Sequence, residues 1–431
     1  MNRKRPLVAM GGCCSLAAVL AACNGGRFAA GFQPSPAPPP LISTDGSNPN
    51  ALIQGADGNF YGTTQSGGQY DQGVMFKLTP SGVETVVHSF AGGPDDGAVP
   101  QGLILGSDGN YYGTTLAGGS SACAGPEAGG NRTQSSCGTV FKITPAGVES
   151  LVYSFGGGVD GGAPSPSLVQ ASNGDLYGAA SAGGARGNGV IFQLTLAGVE
   201  TVLYSFAGGS GDGAQPASLT LGTDGNLYGV TTYGGPSNDG TVFSATLGGV
   251  ETVLHSFTGG SDGELPAAPL VEGSDGNFYG TTPFGGTSTN PSSRCQHGCG
   301  TVFRITTAGV ETVLYAFGGG IANGANPDGG LIQVSDGNFY GTTSSGGNAG
   351  CTGGCGTAFT ITPVGVETVL HFFGATSSDG LAPAVGLIET ADGNLYGITP
   401  FGGQFDAGTL YTMTPTGVET VLFSFGGSAN P

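Results

Sequence analysis

The apolar positions of this chain fall in short alternating runs that recur along most of its length. Between residues 103 and 155, for example, the runs are "LILG", "NYYGTT", "GTVFKIT" and "ESLVYSF". Alternation with a period of two in runs this short predicts β-strands, and no stretch carries a helical pattern of useful length. The pattern therefore predicts an all-β protein.

These runs belong to a unit that occurs seven times from about residue 51 onward. Each unit has four predicted strands, with one turn at an Asp-Gly or Asn-Gly pair and a second in sequences such as "TPAGVE". Such pairs favour a hairpin because glycine adopts positive φ at no steric cost. The first turns are Asp57-Gly58-Asn59, Asp108-Gly109-Asn110, Asn173-Gly174-Asp175, Asp224-Gly225-Asn226, Asp275-Gly276-Asn277, Asp336-Gly337-Asn338 and Asp392-Gly393-Asn394.

Four short strands in each of seven units predict a seven-bladed β-propeller of four-stranded antiparallel blades, because one unit cannot bury its apolar face alone. A β-solenoid is the alternative, although its repeats are usually shorter. The first unit starts with its innermost strand at Leu52-Ile53, and the last ends with "ETVLFSF". We therefore expect that no strand is shared between blades and that the ring closes through packing of blade 7 on blade 1.

The repeated sequences resemble a known family. The units "SDGNFYGTT", "GTVFKITPAGVESLVYSF" and "GGSDG" are similar to the GloVer tandem repeat over nearly all of residues 51–427. The resemblance implies an exported bacterial propeller with one of several anchors, and it implies no known activity. The pattern of Pro, apolar strand, "DGN" and "YG" is also similar to the NHL propeller repeat. The third unit departs from the family pattern at Asn173-Gly174-Asp175 and Ala179-Ala180.

The first 22 residues have the features of a signal peptide. Arg3, Lys4 and Arg5 precede an apolar segment, and a small-residue site ends in Cys23. This site resembles a bacterial lipobox, which implies cleavage before Cys23 and acylation of that residue. The lipid chains, at ~0.8 kcal/mol per buried CH2, would then hold the protein on a membrane. A non-cleaved anchor is the alternative, but the apolar segment is shorter than the ~20 residues of a typical span.

The following segment and the overall composition set the location and the class of partner. Residues 23–50 are rich in Pro, Gly and Ser and predict a tether, which leaves residues 51–431 as the propeller. Asn24 after the acylated cysteine favours the outer membrane or cell surface. Acidic residues outnumber Lys and Arg by 29 to 10, giving a net charge of -19. Nucleic acid is therefore excluded as a partner by repulsion.

Six cysteines remain after cleavage and acylation. Export makes an even number meaningful, and the insertions in which they lie predict disulfides between Cys123 and Cys137, Cys295 and Cys299, and Cys351 and Cys355. Other pairings between blades 5 and 6 stay open. His297 lies between Cys295 and Cys299, but three ligands at this spacing are not a standard zinc pattern. We therefore expect stapled loops and no metal centre here.

Residues that occur in every unit are most simply explained by folding. Two aromatic columns predict packing, and a glutamate column flanks the second turn. The columns are Tyr61, Tyr112, Tyr177, Tyr228, Tyr279, Tyr340 and Tyr396; His88, Tyr153, Tyr204, His255, Tyr315, His371 and Phe423; and Glu84, Glu149, Glu200, Glu251, Glu311, Glu367 and Glu419.

The links between units carry Asp95, Asp96, Asp160, Asp212, Asp262 and Asp379. Asp beside Gly predicts a turn in which the carboxylate accepts hydrogen bonds from nearby backbone amides. Calcium is the alternative, because clustered carboxylates suit a hard cation, although the spacing does not match an EF-hand loop. We expect no cofactor and keep calcium as an open possibility.

A single asymmetric site must use residues that differ between blades. Tyr233, Phe284 and Phe401 precede double glycines where other units have Ser or Ala. Because strands alternate in direction, these rings share a face with the variable loops and the links, and they predict stacking surfaces for a glycan or a surface protein. Local packing of these rings is the alternative.

Four acids also break the repeat pattern, namely Glu127, Glu264, Glu272 and Glu389. A glycosidase would need two such acids across a cleft, and their spacing in the sequence does not place any pair. No nucleophile elbow, phosphate loop or haem motif is present in the sequence. The sequence therefore predicts a recognition module of the cell envelope, with a structural scaffold as the second interpretation and a hydrolase or lyase as the third.

Overall fold

The structure is a computed structural model that describes residues 44–120, 137–287, 295, 297–347, 350–351 and 354–426. Seven four-stranded antiparallel sheets follow one another along the chain. The predicted seven-bladed β-propeller is confirmed. The described residues contain no α-helix, and a single 3-10 turn lies at Gly209–Gly211. No helix in these ranges has the length and apolar character needed to cross a bilayer.

The strands of each blade are consecutive in sequence. Blades 1 to 4 comprise β1 (Ser47–Gln54), β2 (Phe60–Ser66), β3 (Val74–Leu78) and β4 (Glu84–Ser89); β5 (Gly97–Leu105), β6 (Tyr111–Gly118), β7 (Thr139–Ile143) and β8 (Glu149–Ser154); β9 (Gly162–Gln170), β10 (Leu176–Ala182), β11 (Val190–Leu194) and β12 (Glu200–Ser205); and β13 (Gly213–Leu221), β14 (Leu227–Gly234), β15 (Thr241–Ala245) and β16 (Glu251–Ser256).

The innermost strands of the last three blades are shorter. Blade 5 comprises β17 (Val271–Glu272), β18 (Phe278–Thr282), β19 (Thr301–Ile305) and β20 (Glu311–Ala316). Blade 6 comprises β22 (Ile332–Gln333), β23 (Phe339–Thr343), β25 (Thr357–Ile361) and β26 (Glu367–Phe372), with the pair β21 (Gly324–Ala325) and β24 (Ser345–Gly346) beyond a break. Blade 7 comprises β28 (Ile388–Glu389), β29 (Leu395–Thr399), β31 (Thr409–Met413) and β32 (Glu419–Ser424), with the pair β27 (Gly380–Leu381) and β30 (Phe401–Gly402).

The start of the propeller differs from the prediction. β1 begins at Ser47, within the range assigned to the tether, rather than near Leu52. The reason is a contact that the repeat pattern did not show: the Asn48 amide donates to the carbonyl of Ala407 in blade 7, 2.9 Å away. No strand is shared, as predicted, but closure uses this hydrogen bond in addition to packing.

The same connection joins every pair of neighbouring blades. A residue with φ between 51° and 56° precedes a proline near the start of each innermost strand, and its amide donates to the preceding blade. Such a φ is costly for an L residue, above all for β-branched Val99, and the interblade bond offsets that cost. The seven donors are Asn48, Val99, Ala163, Gln215, Leu265, Asn326 and Ala382.

The apolar core lies between blades and is built from aromatic pairs. A buried Phe after each outermost strand meets a ring of the next blade edge-on, with centroids 5.0–5.3 Å apart. Burial of large rings in this geometry stabilises each interface and gives it direction. The pairs are Phe90–Phe141, Phe155–Phe192, Phe206–Phe243, Phe257–Phe303, Phe317–Phe359, Phe373–Tyr411 and, across the closure, Phe425–Phe76.

The two faces of the ring differ in their loops. One, the turn face, carries the two tight turns of each blade. The other, the long-loop face, carries the loops between the second and third strands and the links between blades, which bond to each other: the Gly119 amide donates to Gly93, and that of Gly235 to Asp212. Variable residues therefore collect on the long-loop face.

Candidate functional site

The three predicted rings lie at the ends of second strands on the long-loop face. Phe284 and Phe401 are 38% and 42% exposed, whereas Tyr233 is half-buried. Tyr233 pairs with Ala214 at the start of β13, Phe401 pairs with Leu381 in the β27–β30 pair, and Phe284 forms an isolated bridge with Glu264. The structure thus presents two open rings and one partly covered ring toward solvent.

Two further exposed rings on this face were missed from the sequence. Tyr70 is 49% exposed and Phe405 is 48% exposed, and they occupy matching positions in the loops of blades 1 and 7. The signal was the shared sequence, "GGQYDQG" at 67–73 and "GGQFDAG" at 402–408. In both loops an Asp carboxylate accepts a hydrogen bond from the first Gly amide and fixes a compact turn, which leaves the ring outside.

Blades 4 and 5 bring ionisable residues beside Phe284. We call Asp239, Glu264 and His297 the rim cluster; His297 Nδ1 lies 3.9 Å from Glu264 Oε2. Backbone hydrogen bonds hold the three segments together: the Glu264 amide donates to Phe284, that of Leu265 to Asp239, and that of Gly285 to His297. The disulfide Cys295–Cys299 closes the loop that carries His297.

The carboxyls of the rim cluster are easier to protonate than free ones. Burial raises the pKa of Glu264, and the charge of Asp239 raises it further, while His297 opposes the shift. Burial also raises the pKa of Asp239, with a smaller contribution from Asp262. Two acids with raised pKa values beside an imidazole can accept hydrogen bonds from ligand hydroxyls or ammonium groups, and can exchange protons.

The other acids that break the repeat do not join this cluster. Glu272 accepts hydrogen bonds from the amide and hydroxyl of Thr223, and Glu389 accepts them from Ser335, in each case bridging two blades near the turn face. Their role in the structure is to join neighbouring blades. Glu127 lies outside the described residues.

The link aspartates cap their own turns, as the sequence predicted. The carboxylate accepts from the backbone amide of a residue four or five positions earlier, at 2.6–3.0 Å. A sixth residue of this type, Asp45, was missed because it lies in the range assigned to the tether; its carboxylate accepts from Gly426 and so ties blade 7 to the chain before β1.

The repeated Glu, aromatic and Asp columns meet at each boundary between blades, which the sequence did not reveal. We call each meeting point an interblade cluster. It combines the aromatic residue of one outermost strand, the link residue between that blade and the next, and the Glu that opens the outermost strand of the next blade; at the closure the residue before β1, Asp45, takes the place of the link residue. The seven are His88, Asp96, Glu149; Tyr153, Asp160, Glu200; Tyr204, Asp212, Glu251; His255, Asp262, Glu311; Tyr315, Asn323, Glu367; His371, Asp379, Glu419; and Phe423, Asp45, Glu84.

Every glutamate of these clusters has a raised pKa, principally because of burial. The neighbouring link aspartate adds to the shift in six of them. The pKa is raised to about 8 for Glu84 and to about 7 for Glu149, Glu200, Glu251, Glu311 and Glu419; for Glu367 the direction is the same.

The aromatic columns pack as predicted. Each tyrosine of the second strand is buried and its hydroxyl bonds to the first residue of the adjacent turn, as in Tyr112 to Asp108 at 2.8 Å. Each histidine of the outermost strand meets a Phe edge-on, as His88 meets Phe90. The histidines also contact the link aspartates, at 3.4–3.5 Å, which packing alone did not predict.

The cysteines of the described loops are oxidised. Disulfides join Cys295 to Cys299 and Cys351 to Cys355, so the two cysteines beside His297 are not available as thiolate metal ligands. Cys137 is also disulfide-bonded. Its predicted partner Cys123 and the acylation site Cys23 lie outside the described residues, as do the signal peptide and most of the tether.

The amino-acid sequence shows to which repeat family the chain belongs. The model of the Gloeobacter/Verrucomicrobia repeat matches residues 41–125, 127–292 and 291–431. The chain belongs to this family. A search of curated proteins finds no significant relative of this Gloeobacter/Verrucomicrobia repeat protein.

Solved structures share the fold of this Gloeobacter/Verrucomicrobia repeat protein. A virginiamycin B lyase from Staphylococcus aureus is similar with a TM-score of 0.52 and 15% identity, covering 88% of this chain and 97% of the lyase. A puromycin hydrolase is similar with a TM-score of 0.56 and 12% identity, covering 91% of this chain and 56% of the hydrolase. At these identities the likeness concerns the fold alone.

Proposed function

We propose that the protein is a lipid-anchored recognition module of the cell envelope that binds a glycan on its long-loop face. The observation that carries the proposal is the asymmetry of blades 4 and 5. In these two blades Tyr233 and the exposed side chain of Phe284 lie in the part of the propeller that also holds the rim cluster. Four of the seven blades have Ser or Ala in this column, and the only other ring in it is Phe401 in blade 7. Such asymmetry is not required by folding.

The chemistry of this region suits a sugar. Aromatic rings provide flat apolar surfaces for stacking, and a few polar groups beside them fix the orientation of a ligand. The rim cluster supplies acceptors in Asp239 and Glu264 and a donor in His297. Because the protein carries a net charge of -19, we expect the glycan to be neutral or to carry amino groups rather than acidic ones.

Replacing Tyr233 and Phe284 together with alanine should weaken glycan binding about tenfold or more, because aromatic anchors carry a large share of binding energy. Binding would be measured on a glycan array and then by calorimetry with the best ligand. Circular dichroism should show the same fold.

The matched control is the double variant Tyr70→Ala and Phe405→Ala, which removes rings of similar exposure that lie in blades 1 and 7. It should bind like the wild type. Equal binding by both double variants would reject the site, and selective binding to a protein array would assign the face to a protein ligand.

The membrane anchor is proposed at Cys23, on the resemblance of the leader to a lipobox. Replacing Cys23 with alanine should move the protein from the membrane fraction to the soluble or secreted fraction, because the lipid chains supply the binding energy. Metabolic labelling with a clickable fatty acid would check the modification directly. Cys14→Ala is the control and should stay labelled; labelling that persists in the Cys23 variant would contradict the proposal.

A second candidate function is acid–base catalysis at the same position. The pair of Asp239 and Glu264 with raised pKa values beside His297 favours it. General acid–base catalysis requires groups of this kind within reach of one another. Mass spectrometry of the bound glycan separates the two functions, since a binding module leaves its ligand intact and a hydrolase or lyase shortens it.

A further inference from the structure

The interblade cluster between blades 6 and 7 contains three buried atoms without hydrogen-bond partners. They are Nε2 of His371, Oδ1 of Asp379 and Oε1 of Glu419, and none has a partner among the described residues. Asp379 is only 5% exposed. Buried polar atoms are almost always paired, because an unpaired one costs about 1–3 kcal/mol. The Glu Oε1 is unpaired in all seven interblade clusters, but among the described residues only this cluster also has an unpaired link carboxylate, which indicates that a ligand satisfies it.

The spacing of these groups fits a metal ion. His371 Nε2 lies 3.5 Å from Asp379 Oδ2, and one ligand atom from each of the three residues lies within 4.8 Å of the other two. Ligand atoms bound tetrahedrally at about 2.0–2.1 Å from zinc lie about 3.3 Å apart. The 3.5 Å between the His and Asp atoms is thus close to that separation. The Glu419 oxygen, which lies within 4.8 Å of them, has to move closer to reach it.

A second interblade cluster repeats this arrangement between blades 1 and 2. His88 Nε2 lies 3.4 Å from Asp96 Oδ2, and Glu149 contributes an Oε1 atom that is likewise buried and unpaired among the described residues. The ligand atoms of these three residues also lie within 4.8 Å of one another. Two clusters of identical composition therefore each bring an imidazole nitrogen and two carboxylate oxygens within 4.8 Å of one another.

The donor set selects the class of ion. One imidazole nitrogen and two carboxylates suit zinc and neighbouring divalent transition metals, whereas calcium requires six to eight oxygen ligands. The two carboxylates also match the charge of a divalent ion. In the clusters with tyrosine the phenol occupies the place of the imidazole, and Tyr153 and Tyr204 donate to Asp160 and Asp212. In those clusters the phenol satisfies the link carboxylate, and only Oε1 of Glu200 and of Glu251 is unpaired among the described residues.

We propose that His371, Asp379 and Glu419 bind a divalent transition-metal ion of the zinc class, and that His88, Asp96 and Glu149 form a second site of the same kind. In each site the histidine and the glutamate belong to neighbouring blades. The ion would therefore connect two blades whose sheets share no strand, and it would stabilise the ring by binding only the folded state.

The test uses the full chain without an affinity tag, purified by anion exchange, stripped with EDTA and titrated with Zn2+ in a calorimeter. We expect two zinc ions per chain. His371→Phe and His88→Phe should each remove one zinc ion, because Phe has no ligand atom. We expect Phe to be tolerated at this position, since Phe423 occupies the same column in blade 7. Affinity at the altered site should fall by at least about 100-fold, because loss of an outer-shell partner alone costs about 10–100-fold.

Two controls address other histidines and folding. His297→Ala removes the exposed imidazole and should keep both sites. His255→Phe changes the third histidine cluster, which is not among the described groups whose ligand atoms lie within 4.8 Å of one another, and it should also keep both sites. Glu419→Gln keeps the side-chain volume and should lose one zinc ion without altering circular dichroism. Zinc should raise the Tm of the wild type but not that of the His88→Phe, His371→Phe double variant.

Three results would overturn the proposal: no zinc bound by the stripped wild type, equal binding by the wild type and the double variant, or preference for Ca2+ over Zn2+. Cobalt substitution gives an independent readout, because Co2+ in a site with one nitrogen and two oxygen ligands absorbs visible light according to its geometry. The double variant should lack this absorption.

Discussion

Replacing Phe425 with alanine is expected to lower the free energy of unfolding by about 3–5 kcal/mol, the usual cost of truncating a fully buried Phe. Phe425 is buried and meets Phe76 edge-on, 5.0 Å away, across the boundary where blade 7 closes on blade 1. Urea unfolding followed by fluorescence or circular dichroism would measure the change.

Phe206→Ala is the matched control, because Phe206 makes the equivalent contact with Phe243 between blades that the chain itself connects. Both variants should lose similar stability. Only Phe425→Ala should also open the ring locally, and limited proteolysis should then cut the first and last blades sooner than in the control. Equal proteolysis of the two variants would show that closure does not depend on this contact.

The second large effect expected is a loss of stability as the pH rises from about 5 to about 8 in metal-free protein. Burial raises the pKa of Glu84 to about 8 and those of Glu200 and Glu251 to about 7. The neighbouring carboxylates Asp45, Asp160 and Asp212 add to these shifts, and Tyr204 opposes the shift of the Glu251 pKa.

The sign follows from the protonation states. These glutamates hold a proton more tightly in the folded chain than in the unfolded chain, so their contribution is complete below about pH 4.5 and is lost as the pH passes through 7 to 8. A fully shifted carboxyl changes stability by at most about 1.4 kcal/mol per pH unit, and partial exposure reduces this value. Asp57, Asp108, Asp224, Asp275, Asp336 and Asp392 have lowered pKa values and act oppositely at the acid end.

We therefore expect the Tm in EDTA to be highest near pH 5 and to fall by several degrees by pH 8. Glu84→Gln, which cannot ionise, should flatten this dependence, and Glu84→Asp should retain it. A Tm that is constant or increases over this range would contradict the proposed protonation of the interblade clusters.

The fold was predictable from the sequence because it depends on periodic features. The Asp-Gly turns fix hairpins locally, and seven equal units leave few architectures that bury all of their apolar faces. The position of β1 was not predictable, because Ser47 and Asn48 become part of a strand only through contact with blade 7, at the far end of the chain.

The candidate site was predictable only in part. Rings that interrupt a column, such as Phe284, can be found by comparing units, and their exposure follows from strand direction. The neighbours of Glu264 cannot be found in this way, because Asp239 and His297 reach it from separate loops. Similarly, the twist of each sheet places the first residue of one outermost strand over the previous blade. This twist unites Glu149 with His88, which are 61 positions apart (149 minus 88).

The point where the chain enters the propeller has a consequence for its orientation in the cell. Asp45 takes the place of a link residue, so the polypeptide arrives at the rim that carries Phe284 and the rim cluster. If Cys23 bears the lipid, the 21 residues from there to Thr44 would cover ~65 Å at the ~3.1 Å per residue of a polyproline segment. A segment of that length would attach the entry rim to the membrane while leaving the orientation of the propeller undetermined, so the ligand proposed for this rim would be sought in the envelope within that reach.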